Sequence, residues 1–302
     1  MAELVKPYLS SDSARAMAEV TQSALQLRGV SSRWLLKVLP WVDVKSGIYQ
    51  INRTEDATFK FLSNHHENDA LPKTAARRCE FDPTQDQVDL EVAQAILQLH
   101  SRAVDLYNKP YEQTGEQIRL TVEGLRETQE CEMVNNPTFG LLATAVDSQR
   151  IASARPTPDA LDNLISLRRN TQFLFAHPQT LAAFGQECNK QGLIIQNIPF
   201  QDHLVPSWRG IPLLSCNKIP VTKDGGSSII ALRTGEDNQG VIGLRPAVLP
   251  DQYEAGVNIR FMNINEQAII SYLVSAYFAV AVLIPSALGV LSVKNVEVQH
   301  HD

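Results

Sequence analysis

One uncharged stretch, from Ala268 to Val293, constrains the fold more than any other feature of this sequence. Its 26 residues are long enough to cross a bilayer as a helix. The bulky residues Tyr272, Val274, Phe278, Val280 and Val282 nevertheless share one parity, whereas the smaller Ser271, Ser275, Ala279 and Ala281 take the other. Leu273 and Tyr277 blur this alternation without erasing it. A period of two favours a strand over a helix, and Pro285 interrupts the stretch. We therefore predict a long strand buried in a sheet, with a membrane-associated protein anchored by residues 268–293 as the alternative.

Composition and charge exclude several classes of protein. With 302 residues, 44% of them hydrophobic and 20% charged, the chain can form a packed globular core. The net charge of −6 disfavours a general nucleic-acid binder, which needs a basic face. Cys79, Cys131, Cys188 and Cys216 are widely spaced and form no CxxC pair, so we expect reduced thiols in the cytoplasm. The first residues lack the apolar region of a signal peptide.

The first 62 residues contain features that are not expected to be stable alone. Residues 1–28 are polar and form a candidate arm, and the tryptophan-rich patch from Gly29 to Val42 then requires a surface to cover it. That surface is either the core of the same chain or a neighbouring subunit. Two alternating runs between Val44 and Leu62 predict a β-hairpin with unpaired edges.

The remainder of the chain mixes helices and strands. Asp82 and Pro83 are typical of a helix start, and the apolar spacing that follows predicts a helix to about Tyr107. A second helix is predicted from Glu112 to Met133. After Pro156 the sequence predicts capped helices PTPDALDNLISLRR and HPQTLAAFGQECNKQG among short strands, without a regular βαβ repeat. The predicted fold class is α+β.

No catalytic or metal-binding pattern is found in the sequence. Phosphate-binding loops, HExxH and GxSxG are absent, and the adjacent His65 and His66 rarely share one metal ion. Asp202 and His203 could form a general-base pair, but no nucleophile is evident beside them, so an enzyme is the least favoured class. Arg168 and Arg169 are predicted to be solvated or to form interface salt bridges. We predict no catalytic residue, metal or cofactor; instead, the arm, patch and hairpin indicate a subunit of an assembly.

Three long blocks resemble the family 2 encapsulin shell proteins, specifically the 2A type. They are GVSSRWLLKVLPWV followed by GIYQINR, then VPSWRGIPLLSCNKIPV, then NIRFMNINEQAIISYLVSAYFAVAVLIPSALGVL. The resemblance extends from about residue 29 to residue 298 and implies the fold of tailed-phage major capsid proteins, the HK97-type fold. It implies an N-terminal arm at 1–43 and an extended hairpin loop (E-loop) at 44–81. It further implies a peripheral domain at 82–137 and 251–302 whose spine is the helical pair, and an axial domain at 138–250.

The resemblance also implies a function and partners. Members of the branch without an inserted nucleotide-binding domain form icosahedral shells of sixty subunits that commonly enclose a cysteine desulfurase, loaded through a disordered extension of the cargo, for sulfur metabolism. We therefore expect a cytoplasmic nanocompartment shell with no nucleic acid and no membrane insertion. A phage or prophage capsid protein is the alternative within the same fold.

Two sets of candidate functional residues follow. Aromatic anchors usually carry the largest losses of interface energy on truncation, which predicts assembly contacts in the arm and hairpin. The assembly set is Trp34, Leu35, Leu36, Leu39 and Trp41, with Tyr49, Ile51, Phe59 and Phe61. Polar loops of the axial domain are predicted to line pores, because a ring of charged loops focuses the local field. The pore set is Gln201, Asp202 and His203, together with Lys223, Asp224 and Gly225.

Overall fold

The computed structural model describes residues 32–45, 47–51, 87–100, 113–266 and 269–296. Its helices are α1 (Trp34–Val38), α2 (Gln113–Asn135), α3 (Leu141–Thr144), α4 (Pro158–Ser166) and α5 (Pro178–Lys190), with 3₁₀ turns at Asp147–Gln149 and Pro285–Ala287. The early strands are β1 (Trp41–Val44), β2 (Ile48–Gln50), β3 (Gln87–Asp89), β4 (Glu91–His100) and β5 (Arg150–Ser153). The middle strands are β6 (Phe173–Ala176), β7 (Gln196–Phe200), β8 (His203–Trp208), β9 (Ile211–Ser215) and β10 (Ser227–Leu232). The last strands are β11 (Val241–Pro246), β12 (Gln252–Glu254), β13 (Val257–Ile264), β14 (Ile269–Val282) and β15 (Leu288–Val293).

Two sheets organise the described part of the chain. The first has six strands in the order β1-β11-β14-β13-β12, with β4 also paired to β14, and the second has seven in the order β5-β15-β10-β6-β9-β8-β7. Helix α2 lies against β4 and β14. Two apolar clusters result, one containing the arm helix and the six-stranded sheet, the other lying between α4, α5 and the seven-stranded sheet. Strand β10 contributes to both clusters, Ile229 to the second and Ile230 to the first, so it is buried on both faces.

The uncharged stretch forms strands, as predicted, but it forms two rather than one. Strand β14 lies in the first sheet, and β15 lies in the second. The 3₁₀ turn at Pro285–Ala287 connects the two strands. The buried residues of β14 include Val274, Phe278 and Val280. In the part of the chain that the structure describes, no helix is long and apolar enough to cross a membrane.

The helix predicted from Asp82 to about Tyr107 is wrong over its described residues. Residues 87–89 and 91–100 are strands, and β4 pairs with β14 in register from His100↔Ile269 to Glu91↔Phe278. Alanine, glutamine and leucine in β4 favour a helix locally, but pairing along ten residues with a buried strand overrides that preference. The second predicted helix, by contrast, is present as α2, and it provides the long helix that we expected of the spine.

The short helices agree with their predicted boundaries. Thr157 caps α4 by accepting a hydrogen bond from the Ala160 amide, and Gly192, with φ of 70°, follows the end of α5. The first run of the predicted hairpin becomes β2, whose described partner is β3 at Gln87–Asp89. The second run, residues 57–63, lies outside the described residues.

The proposed domain boundaries stay a prediction, and the two sheets do not follow them strictly. Strand β11 belongs to the span 138–250 but pairs with β14 in the first sheet. Strand β15 belongs to the span 251–302 but pairs with β10 and β5 in the second. The chain therefore crosses between the two sheets more than once.

Candidate assembly interface

The residues predicted for the arm junction, Trp34, Leu35, Leu36, Leu39 and Trp41, lie against the core of their own chain. Trp34, Leu35, Leu36 and Leu39 are between 1% and 8% exposed, and Trp41 is half-buried. This corresponds to the alternative that the patch packs on its own chain. Side chains already buried in one subunit have little area left to bury against another, so their role in assembly stays a prediction and would act through the position of the arm.

Trp41 ties the arm to the six-stranded sheet. Its indole Nε1 donates to the carbonyl of Leu36 at 3.2 Å. Its ring lies so close to Gly243 of β11 that a Cβ there would come within 2.8 Å of the ring. Strand β1 runs parallel to β11 at this point, with Trp41 opposite Gly243. Glycine is thus required here by the close approach of the indole ring.

A group of charged side chains joins the arm to α2. Arg33 forms ion pairs with Glu123 and, from Nε at 3.4 Å, with Glu127. Lys218 also pairs with Glu127, at 2.8 Å. One turn further along α2, Glu130 is 1% exposed and accepts a hydrogen bond from the Leu35 amide at 3.1 Å. These contacts fix the start of α1 on the long helix.

Sequence reasoning did not single out this charged group, although a signal exists. Glu123, Glu127 and Glu130 are spaced i, i+4 and i+7, which places them on one face of a helix. Such an acidic stripe favours a basic partner, and Arg33 stands just before the apolar part of the patch.

Nearby, burial and the charge of Glu130 raise the pKa of the Cys216 thiol to about 12. That thiol is accordingly inert.

The hairpin set is only partly described. Tyr49 of β2 donates its hydroxyl to Glu236 at 2.8 Å, and burial followed by this carboxylate raises the tyrosine pKa to about 12. Ile51 is 8% exposed and lines a cavity of about 300 Å³ with Val88 and Phe139. Phe59 and Phe61 lie outside the described residues. The base of the loop is therefore anchored to its own subunit.

The first pore candidate is the turn of a two-residue β-hairpin. Phe200 pairs with His203, and Gln201 and Asp202 between them have φ of 45° and 63°. Positive φ at both central positions corresponds to a type I′ turn, which suits the twist of the strands. His203 is therefore the first residue of β8 rather than part of a polar loop, and its imidazole meets the Trp34 ring edge-on at 5.6 Å.

The second pore candidate lies elsewhere in the fold. Lys223, Asp224 and Gly225 form a turn before β10, closed by hydrogen bonds between Thr222 and Gly226. Lys223 and Asp224 are exposed, and Gly225 accepts a hydrogen bond from the Val296 amide at 2.8 Å. The structure thus brings one pore candidate, His203, against the arm junction. The second turn is anchored to the residues that follow the last strand instead.

Within the described residues, no group of histidine, cysteine, aspartate and glutamate side chains is arranged to hold a metal ion. Cys131, Cys188 and Cys216 are free thiols. What the described geometry offers is a subunit with an anchored arm, a loop base and a long helix on a sheet. These parts correspond to the arm, extended loop and spine that the sequence resemblance implied.

Comparison with solved structures identifies the fold. The capsid protein of an empty GTA particle matches with a TM-score of 0.60 over 90% of this chain and 94% of that one, at 13% identity. The Microbacterium phage Oxtober96 structure matches with a TM-score of 0.57, covering 93% and 98%, at 11% identity. At such low identity these matches show the fold alone, which is the capsid fold that the sequence resemblance implied.

Closer relatives define the family within that fold. The holo-SrpI encapsulin complex of Synechococcus elongatus PCC 7942 matches with a TM-score of 0.80 at 36% identity, covering 98% of this chain and 99% of that one. The curated type 2A encapsulin shell protein SrpI of Synechococcus elongatus is 38% identical over 95% of this chain and 94% of its own length. The Mycobacterium leprae type 2A encapsulin shell protein is 39% identical over the same shares. The family profile described as type 2A encapsulin shell protein SrpI-like matches residues 45–300. The chain belongs to this family, and it is a structural shell subunit rather than an enzyme.

Proposed function

We propose that this chain assembles into a closed icosahedral shell of sixty subunits in the cytoplasm that encloses a cargo enzyme. The observation that carries the proposal is the match to the holo-SrpI encapsulin complex along 98% of the chain. A subunit that keeps the same parts over its whole length retains the surfaces needed for closure. Repetition of one weak contact around a closed shell then gives a stable particle.

The cargo that we propose is a cysteine desulfurase, held through a disordered extension. The resemblance of the sequence to the sulfur-metabolism branch of the family supports this class of cargo. Compartmentation is the mechanism: the shell itself performs no chemistry, and it separates the enzyme from the surrounding solution.

Assembly is tested by electron microscopy of the full chain expressed alone, after size exclusion. Uniform hollow particles are expected, and a stable, monodisperse small oligomer without particles would contradict the proposal. The cargo is tested by purifying particles from the native host and identifying the co-purified proteins by mass spectrometry. Particles that consistently contain a different enzyme would refute the desulfurase while leaving the shell intact.

We further propose that the turns at Gln201–His203 and Lys223–Gly225 line pores that admit small charged substrates. Both turns carry charged side chains, and Asp202, Lys223 and Asp224 are exposed. Exchanging the charges with Asp202→Lys and Lys223→Asp should change the turnover of encapsulated cargo and leave that of free cargo unchanged. If the encapsulated enzyme turns over equally fast in wild-type shells and in shells with the exchanged charges, this result would argue against pores at these turns.

A further inference from the structure

We propose that the outer edge of β13 and the residues after it, Arg260 to Glu266, form a contact between two copies of this chain related by a twofold axis at Asn263. This inference rests on the proposed assembly into a shell, and it names a surface that the assembly would use. The arguments come from the exposure, the pairing and the charges of this segment.

Large apolar side chains are concentrated at this edge. Phe261, Met262 and Ile264 lie within four consecutive residues, and their side chains are 54%, 48% and 59% exposed. The Phe261 ring contacts that of Tyr272 on β14, with the ring centroids 6.0 Å apart. Contiguous exposed apolar residues indicate an interaction surface, whereas single ones are ordinary.

The backbone edge is also open along the same residues. Strand β12 covers β13 only at Val257 and Asn258, and the Ile259 amide then donates to the carbonyl of Asp251 at 3.1 Å. Beyond Ile259, no strand of the described residues pairs with this edge. A bulge between Phe261 and Asn263 interrupts the regular ladder with β14. Because bulges disfavour continuous strand pairing, we infer side-chain packing rather than an extended intersubunit sheet.

The charges of the segment are self-complementary about its centre. Arg260 stands three residues before Asn263, and Glu266 stands three residues after it. In an antiparallel arrangement of two copies, Arg260 therefore meets Glu266 of the second copy, and Met262 meets Ile264. In a parallel arrangement, each charge would meet its own kind, which is unfavourable. A twofold axis is the symmetry that makes one surface its own partner.

Arg260 is available for this contact. Within its own chain it pairs with Asp251 at 3.5 Å, but both side chains are more than half exposed, at 56% and 60%. Exposed ion pairs contribute little to stability. Arg260 can therefore leave Asp251 for the carboxylate of a second copy, or bind both, at little cost in free energy. Strand β13 ends at Ile264 and Glu266 lies in the turn that follows, so about 13 Å of extended chain separates Arg260 from that turn.

A charge-exchange experiment tests the pairing in the full chain. Arg260→Glu and Glu266→Arg should each raise the subunit concentration needed for half-maximal shell formation by about fivefold, measured by light scattering at low salt. The double variant should return to within about twofold of wild type, because the pair is restored with its charges reversed. Asp251→Asn is the matched control, and it should assemble like wild type because it removes only the contact within the chain.

The results separate this contact from the proposed function. If the double variant assembles as poorly as the single variants while Asp251→Asn assembles normally, the contact between copies is refuted and the shell stands. If wild type forms no shells, the proposed function fails, and a cross-link measured on the oligomer that does form decides the contact.

That cross-link uses Asn263→Cys in a chain where Cys79 and Cys131 are replaced by serine. The two thiols that this substitution introduces near the axis should give a covalent dimer under oxidising conditions or with a short bifunctional maleimide. Ile194→Cys, at a residue that is 88% exposed, is the control and should stay monomeric on a denaturing gel. Failure of Asn263→Cys to cross-link in an assembled oligomer would overturn the proposal.

Discussion

A buried arginine at the end of α4 shows how closely single residues are matched in this subunit. Arg168 was predicted to be solvated or in an interface salt bridge, yet it is 8% exposed within its own chain. Its guanidinium donates to the carbonyls of Leu164 and, at 2.8 Å, Gln149. Burial lowers its pKa to about 10, which leaves it charged near neutral pH. The Arg168 guanidinium is thus hydrogen-bonded to backbone carbonyl oxygens rather than paired with a carboxylate.

The same arginine makes a glycine necessary in β15. A Cβ at Gly289 would lie 1.7 Å from the Arg168 guanidinium carbon, so Gly289→Ala must displace a buried cation from its carbonyl partners. We expect a loss of about 2–3 kcal/mol in the free energy of unfolding, measured by urea denaturation. Gly124→Ala in α2 is the control: a Cβ there meets nothing within 4 Å, and alanine should gain up to about 1 kcal/mol. Equal effects at the two positions would contradict this account.

At the scale of elements, one of the contacts that hold α1 on α2 is the hydrogen bond to the buried carboxylate of Glu130. Glu130→Leu removes the acceptor of the Leu35 amide, and leaving that buried donor without a partner should cost about 1–3 kcal/mol. Hydrogen exchange of the Leu35 amide should accelerate more than that of amides in the centre of β14. Glu130→Gln keeps an acceptor and should be milder, and exposed Thr128→Ala is the control on the same helix. Unchanged exchange at Leu35 would show that the carboxylate does not hold the arm.

The base of the loop is joined to the turn after β10 by Tyr49 and Glu236, and this contact predicts a pH dependence. The tyrosine pKa is raised from 10.0 to about 12 in the folded subunit. The folded state therefore holds this proton more tightly than the unfolded state. Its contribution to stability is complete below about pH 10 and is lost as the pH rises towards about 12.

Denaturation at several alkaline pH values checks this dependence. Wild type should lose stability more steeply with pH than Tyr49→Phe, which has no phenolic proton to lose. Glu236→Gln should lower the tyrosine pKa part of the way back, as followed by phenolate absorbance, because it removes the charge but keeps an acceptor. Parallel stability curves for wild type and Tyr49→Phe would exclude Tyr49 as the source.

The predictability of the elements depended on whether their signals were local. Helices α4 and α5 were predicted well because caps at Thr157 and His177 lie next to the residues that they cap. Strand β4 was mistaken for a helix because its decisive partner, β14, lies far away in sequence. A polar loop was predicted at Gln201 and Asp202, but its tight two-residue form was not, since the glycine that usually follows Asn or Asp in such a turn is absent.

The sequence indicated which residues of the candidate site need cover, but not what covers them. Sequence pattern identified Trp34 and Trp41 as residues needing cover, and the structure shows that the subunit itself supplies that cover. Contacts such as Trp34 with His203 join segments about 170 residues apart, and no local pattern encodes them. The acidic stripe on α2 was visible in the sequence, but its basic partner was not.

At the scale of the whole molecule, the arm junction should affect the particle as well as the subunit. Trp41→Ala empties the space beside Gly243 and should cost up to about 3–5 kcal/mol, giving smaller and less stable assemblies. Trp41→Phe keeps a ring but loses the hydrogen bond to Leu36, and it should retain shells of normal size. Electron microscopy and thermal melting measure the two effects. Particles of normal size with an unchanged melting temperature in Trp41→Ala would contradict this prediction.

The division of the uncharged stretch between two sheets has a consequence for biosynthesis. Strand β14 pairs with β4, β11 and β13, and β15 lies between β5 and β10, so each sheet receives an interior strand late in the chain. During translation, the six-stranded sheet cannot close until β14 has left the ribosome as far as Val282, and the seven-stranded sheet cannot close until β15 has left it as far as Val293. A chain that ends before Ile269 therefore lacks an interior strand of both sheets, and a chain that ends between Val282 and Leu288 still lacks the interior strand of the second sheet. Because of this order of strands, we expect incomplete chains to be excluded from the particle.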